Sequence, residues 1–107
     1  MKLQNGEVTL KSIFPKRLWD KTQEMFMEGM EIDEKGQPKL TNMAEVMIKN
    51  AKVEGYKMLN MIESLMINQK NIEINDDIFD YISKPDSVKI LKEIDKIAGI
   101  GQDLPLQ

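Results

Sequence analysis

Residues 43–68, MAEVMIKNAKVEGYKMLNMIESLMIN, carry the strongest periodicity in this chain. Ala44, Met47, Ile48, Ala51, Gly55, Met58, Leu59, Ile62, Leu65 and Met66 recur at three- and four-residue intervals, the spacing that gathers apolar side chains along one helical stripe. The pattern predicts a single long helix of about 26 residues, well above the usual helix length. Thr41 or Asn42 can cap its start, and Thr41 with Glu45 falls one residue out of register for a capping box. The small residues Ala51 and Gly55 leave room for another helix or a hairpin to approach closely.

Upstream, residues 31–40 contain Lys35-Gly36 and Pro38 and read as a loop. Its Asp33-Glu34-Lys35-Gly36 lacks the alternating Asp/Asn ligands and the closing glutamate of a calcium loop. Before it, Pro15 suits a first helical residue, and Leu18, Trp19, Thr22, Met25, Phe26 and Met30 make residues 15–30 an amphipathic helix. Residues 2–13 show weak alternation at Leu3, Val8 and Leu10 around Asn5-Gly6, the favoured pair for a two-residue turn, so a short hairpin or extended arm is expected. Two strands alone are marginal, so this arm must pack on something or pair with another chain.

Downstream, Asn71–Asn75 is a short break with extended character. Asn75 or Asp76 can cap a short helix over 76–82 carrying Ile78, Phe79 and Ile82, with acids in its first turn where the helix dipole favours them. Ser83-Lys84-Pro85 separates it from a helix over 85–98 with Val88, Leu91, Ile94 and Ala98 on its apolar face, flanked by Ile90 and Ile97. Gly99 stops that helix, and residues 99–107 should form a flexible tail. The expectation is a mainly α fold: one domain over 1–98, about four helices with a long central one, and a short N-terminal β-hairpin or extended arm.

A chain of 107 residues can bury a core without metal or disulfide support. It contains no cysteine and no histidine, which removes thiolate nucleophiles, disulfides, the usual zinc sites and imidazole acid–base chemistry. No apolar run approaches a bilayer span and no signal core is visible at the N-terminus, so a cytoplasmic protein is expected, with no membrane partner. Net charge is −3, and residues 71–107 carry eight acids against four bases. Lys11, Lys16, Arg17 and Lys21 form the one basic cluster, closely followed by acids, so a nucleic-acid partner is not expected. Lys11, Lys16 and Arg17, around the helix start, can meet phosphates, although a solvated surface explains them more simply.

Eight internal methionines are many for this length. Methionine adapts to partners of varied shape but also fills cores. Those on the helical stripes read as core; Met27, Met43 and Met61 fall off the main stripes and are the candidate contact residues. Asp76, Asp77 and Asp80, with Glu73, cluster at the start of the short helix. Asp76 and Asp80 share a face and suggest a cation site, but dipole-complementing surface acids suffice, and the same acids can steer a basic partner. Trp19 with Phe26 can anchor a partner, yet in a chain with so few aromatics Trp19 reads better as a core keystone. Gly99-Ile100-Gly101 resembles the turn of a helix–hairpin–helix motif, but no second helix follows, and no dinucleotide fingerprint is present. No metal, cofactor or catalytic residue is assigned.

The order of these segments resembles the tail assembly chaperones of long-tailed bacteriophages. Glu7-Val8-Thr9-Leu10-Lys11, the Pro-led Pro15-Lys16-Arg17-Leu18-Trp19, the long central helix, Ile74-Asn75-Asp76-Asp77-Ile78-Phe79-Asp80-Tyr81-Ile82 and Asp86-Ser87-Val88-Lys89-Ile90-Leu91-Lys92-Glu93-Ile94 carry the likeness. It implies a non-enzymatic assembly chaperone that coats the helical tape-measure protein, helps recruit tail tube subunits, and associates with further copies of itself as a homo-oligomer. A structural tail or head–tail adaptor subunit, or a small nucleic-acid-binding regulator, are the alternatives.

Overall fold

A computed structural model describes residues 1–28, 34–36 and 43–99. Within them the chain runs β1 (Gly6–Leu10), α1 (Lys16–Met27), α2 (Met43–Met61), β2 (Ile62–Ile67), β3 (Lys70–Ile72), a 3-10 turn (Asp76–Asp80) and α3 (Lys84–Ala98). The strands form one antiparallel sheet in the order β1-β2-β3. This is an α+β fold, and the expected mainly α protein of about four helices is overturned. Met30, the Pro38 loop, the Thr41/Asn42 cap and the tail beyond Gly99 lie outside the described residues.

The long helix expected over 43–68 ends at Met61, and the chain passes straight into the central strand. The error has an identifiable source. On β1, residues 6, 8 and 10 share one face and pair with Ile67, Leu65 and Ile62 of β2. The register slips between Thr9 and Leu10, so β2 holds one extra residue, Glu63, in a β-bulge. The bulge lets Ile62 and Leu65, three apart, point to the same buried face. A three-residue interval that reads as helix is here an interrupted alternation. At the junction, the Lys11 amide donates to the Met61 carbonyl at 2.9 Å, so β1 captures the last turn of α2.

β2 turns into β3 through Asn68 and Gln69, which have φ of 51° and 66°. Positive φ at both central residues is the twist a two-residue hairpin needs. The N-terminal arm also folds back as expected, but its loop is Gln4-Asn5, not Asn5-Gly6. The Leu3 amide donates to the Gly6 carbonyl at 2.8 Å, Lys2 pairs with Glu7, and the Val8 amide donates to the Met1 carbonyl at 2.9 Å.

α3 starts and stops on local signals. The Ser83 hydroxyl accepts from the Asp86 amide at 3.3 Å, and Pro85 stands in the first turn. Gly99, at φ 78°, closes the other end by donating to Asp95 and Lys96 carbonyls. Asp86 is buried, and its two carboxylate oxygens accept from the Gln4 amide at 3.3 and 3.2 Å. One side chain thus joins the N-terminal arm to the start of α3, across 82 positions of sequence. Asp86→Ala leaves that amide without its acceptor and should lower stability by about 1–3 kcal/mol. Urea unfolding would measure the loss, with faster hydrogen exchange at Gln4. A stability change within experimental error would contradict the tether.

One apolar cluster joins Leu3 and Val8, Leu18 of α1, Met58 and Met61 of α2, Ile62, Leu65 and Ile67 of β2, Ile78 of the 3-10 turn, and Ile90 and Ile94 of α3. α2 is the shared partner, packed by α1 on one side and α3 on the other. α1 buries a narrow stripe, Leu18 and Thr22, and the Thr22 hydroxyl donates to the Trp19 carbonyl at 2.7 Å. The expected keystone Trp19 is instead 40% exposed, one helical step off that stripe. The Lys49 ammonium of α2 donates to the Glu28 carbonyl at the end of α1, where the helix dipole favours a cation.

Candidate functional site

Among the described residues, the N-terminal half of α2 leaves its apolar stripe exposed. Met43, Met47 and Ala51 follow one another at four-residue spacing, with Ala44 and Ile48 beside them, and all are exposed. Met47 is 66% and Ile48 57% exposed, although their spacing places them on the same stripe as the buried Met58. The periodicity is right, but it continues past the point where the described residues supply anything to bury it.

Ala51 leads directly into a groove of about 280 Å³ between α2 and α3. Ala51, Gly55 and Met58 form its floor on α2, and Phe79 and Leu91 form its walls. Val88, three residues before Leu91 on α3, is also exposed. Glu54 and Lys84, of opposite charge, complete the lining with Ser87. Phe79 reaches the groove because Asn75 caps the 3-10 turn, its side chain accepting from the Asp77 amide at 2.8 Å, while Ile78 anchors that turn in the core. A methyl placed at Gly55 would lie 3.5 Å from Phe79 Cζ, an ordinary contact distance. The close approach that Ala51 and Gly55 allow is therefore used by an aromatic ring rather than by a helix or the N-terminal hairpin.

The candidate contact residues separate. Met43 lies at the start of the exposed stripe. Met27 is half exposed at the end of α1, off the Leu18–Thr22 face and apart from the groove lining. Met61 is fully buried, so the structure corrects its reading as a contact residue: as the last residue of α2 it sits where helix, sheet and α3 meet. Asp76, Asp77 and Asp80 are exposed and share the 3-10 turn with Phe79, but of that turn only Phe79 lines the groove. Among the described residues, no group of three or more acidic side chains is placed to hold a metal ion. Ala51 and Gly55 carried a legible signal, small residues on a long stripe; Phe79 and Leu91 carried none, since their convergence depends on the turn between sheet and α3.

No helix among the described residues is long and apolar enough to cross a membrane. Compared with protein-family models, curated proteins and solved structures, the chain has no match.

Proposed function

We propose that this protein is a binding module that seats an amphipathic helix of a partner protein along the exposed stripe of α2 and in the groove beside it. The observation that carries this reading is the uncovered run Met43, Met47, Ile48 and Ala51 leading into a groove with a small-residue floor. A helix laid in a groove presents anchors at intervals of one turn, and α2 offers receiving positions at that same interval. Flexible methionines accept anchors of unequal size. The unshielded acids Asp76, Asp77 and Asp80 beside Phe79 favour a partner helix whose apolar face is followed by basic residues. The resemblance to tail assembly chaperones supplies the partner's identity in this reading: the long helical tape-measure protein, held soluble until tail tube subunits polymerise around it.

The test is co-expression with the tape-measure protein of the same genome, followed by affinity measurement. A soluble complex is expected. Ala51→Glu and Met47→Glu, both on exposed positions, should weaken it at least about tenfold while leaving thermal unfolding nearly unchanged. Binding that is indifferent to both substitutions would overturn the groove as the docking site. Gly55→Ala separates fold from function: the added methyl fits against Phe79 and favours helix, so stability should rise by about 0.5–1 kcal/mol while affinity falls.

A further inference from the structure

On the other side of α2, a second cleft gathers cations. It measures about 290 Å³ and is lined by Lys11, Arg17, Lys21, Leu18, Pro15, Tyr56 and Asn60. Its geometry follows from helical spacing. Arg17 and Lys21 lie one turn apart on α1, Tyr56 and Asn60 one turn apart on α2, and Lys11 closes the cleft from the end of β1. The Lys11 backbone is held by its bond to the Met61 carbonyl. Asn60 is oriented by donating one amide hydrogen to the Tyr56 carbonyl at 2.9 Å, which leaves its second hydrogen available.

Three cations line this cleft and no acid does, in a chain whose net charge is −3. Among the described residues, Lys11 and Arg17 form no ion pair, and Lys21 meets only the exposed Glu24, at 3.8 Å. Like charges repel when brought together, so a cluster of this kind is relieved by an anion. The first turn of α1 carries no acid and Pro15 provides no capping side chain, so its free amide hydrogens add to the same field. Apart from the polar Asn60, the remaining lining, Pro15, Leu18 and Tyr56, is apolar or aromatic.

We infer that this cleft binds a small phosphorylated molecule, with the phosphate among Lys11, Arg17 and Lys21 and an apolar or aromatic body against Pro15, Leu18 and Tyr56. Three cations match a phosphate dianion better than a single carboxylate, and the arginine fork suits phosphate oxygens. The cleft volume is at the lower end for ligand pockets, which limits the body to about one ring. This site is independent of the docking groove, and its failure leaves that reading untouched.

The test is titration of the ¹⁵N-labelled full chain at constant ionic strength with phenyl phosphate, inorganic phosphate and benzoate. Phenyl phosphate should give saturable amide shifts at Arg17, Lys21, Tyr56 and Asn60, with a Kd on the order of 1 mM or tighter. Inorganic phosphate and benzoate should each bind about tenfold more weakly. Lys11→Ala and Arg17→Ala should each weaken phenyl phosphate binding about tenfold, Arg17→Lys should recover part of the loss, and Lys92→Ala on exposed α3 should change nothing. Shifts that do not saturate, or that persist in the Lys11 and Arg17 variants, would overturn the site. Equal affinity for benzoate would overturn the phosphate assignment, and equal affinity for inorganic phosphate would overturn the apolar seat.

Discussion

Gly6→Ala is expected to cost at least about 3 kcal/mol, the upper end of what overpacking does, and to lower the melting temperature by more than about 10 °C. A Cβ built at Gly6 would overlap the Met66 carbonyl oxygen and press on the Ile67 Cα. Both are backbone atoms of the central strand, so no side chain can swing aside to relieve the clash. The strands must separate at the Gly6–Ile67 pair, next to the bond from the Asn68 amide to the Asn5 carbonyl at 2.7 Å. Denaturant unfolding would measure the loss, and hydrogen exchange should rise at Glu7, Val8 and Asn68. A change within about 0.5 kcal/mol, typical of a surface position, would rule out this register. The residue type was conspicuous in Asn5-Gly6, but for another reason. Gly6 does not adopt positive φ; it is required because two backbones come too close for any side chain.

Met61→Ala is expected to destabilise the protein by about 2–5 kcal/mol, as other large-to-small changes in packed cores do. Met61 is fully buried among residues of the sheet, α2 and α3. Its truncation leaves a cavity where all three converge. Met47→Ala should change stability by no more than about 0.5 kcal/mol, because that side chain is exposed. The pair reverses the assignment that periodicity suggests, in which Met47 is core and Met61 a contact residue. Similar losses for both variants would place Met47 in the core and remove the exposed stripe from the docking reading. In a domain of ordinary stability the Met61 variant keeps enough folded population for binding to be measured.

The candidate groove was partly legible. Ala51 and Gly55 on a continuous stripe marked a place of close approach, and Met43 was a contact candidate as an off-stripe methionine, although it stands in line with Met47 and Ala51. What approaches Gly55 could not be read, because the Phe79 ring arrives from a 3-10 turn that Ile78 anchors in the core. The exposure of Met47 and Ile48 was equally hidden, since periodicity records which residues share a face but not whether anything covers that face. Asp86 reads as a first-turn acid of α3, and its acceptance of the Gln4 amide depends on the N-terminal arm being brought to that helix.

Elements bounded by their own residues were determined by the sequence alone. Ser83 and Pro85 start α3 and Gly99 ends it, and the Pro15-led α1 begins within one residue of its expected start. Local backbone chemistry suffices there, because the cap and the helix it serves are neighbours in the chain. The end of α2 has no such signal. Nothing between Met61 and Ile62 breaks a helix, and Ile62, Leu65 and Met66 continue its spacing. Tertiary structure alone made residues 62–67 a strand. β1 pairs along them, a bulge at Glu63 turns both Ile62 and Leu65 to the core, and the Lys11 amide takes the Met61 carbonyl. A short apolar run serves helix or strand about equally, and the choice falls to whichever partner buries it. Here that partner is a strand more than fifty positions earlier in the chain.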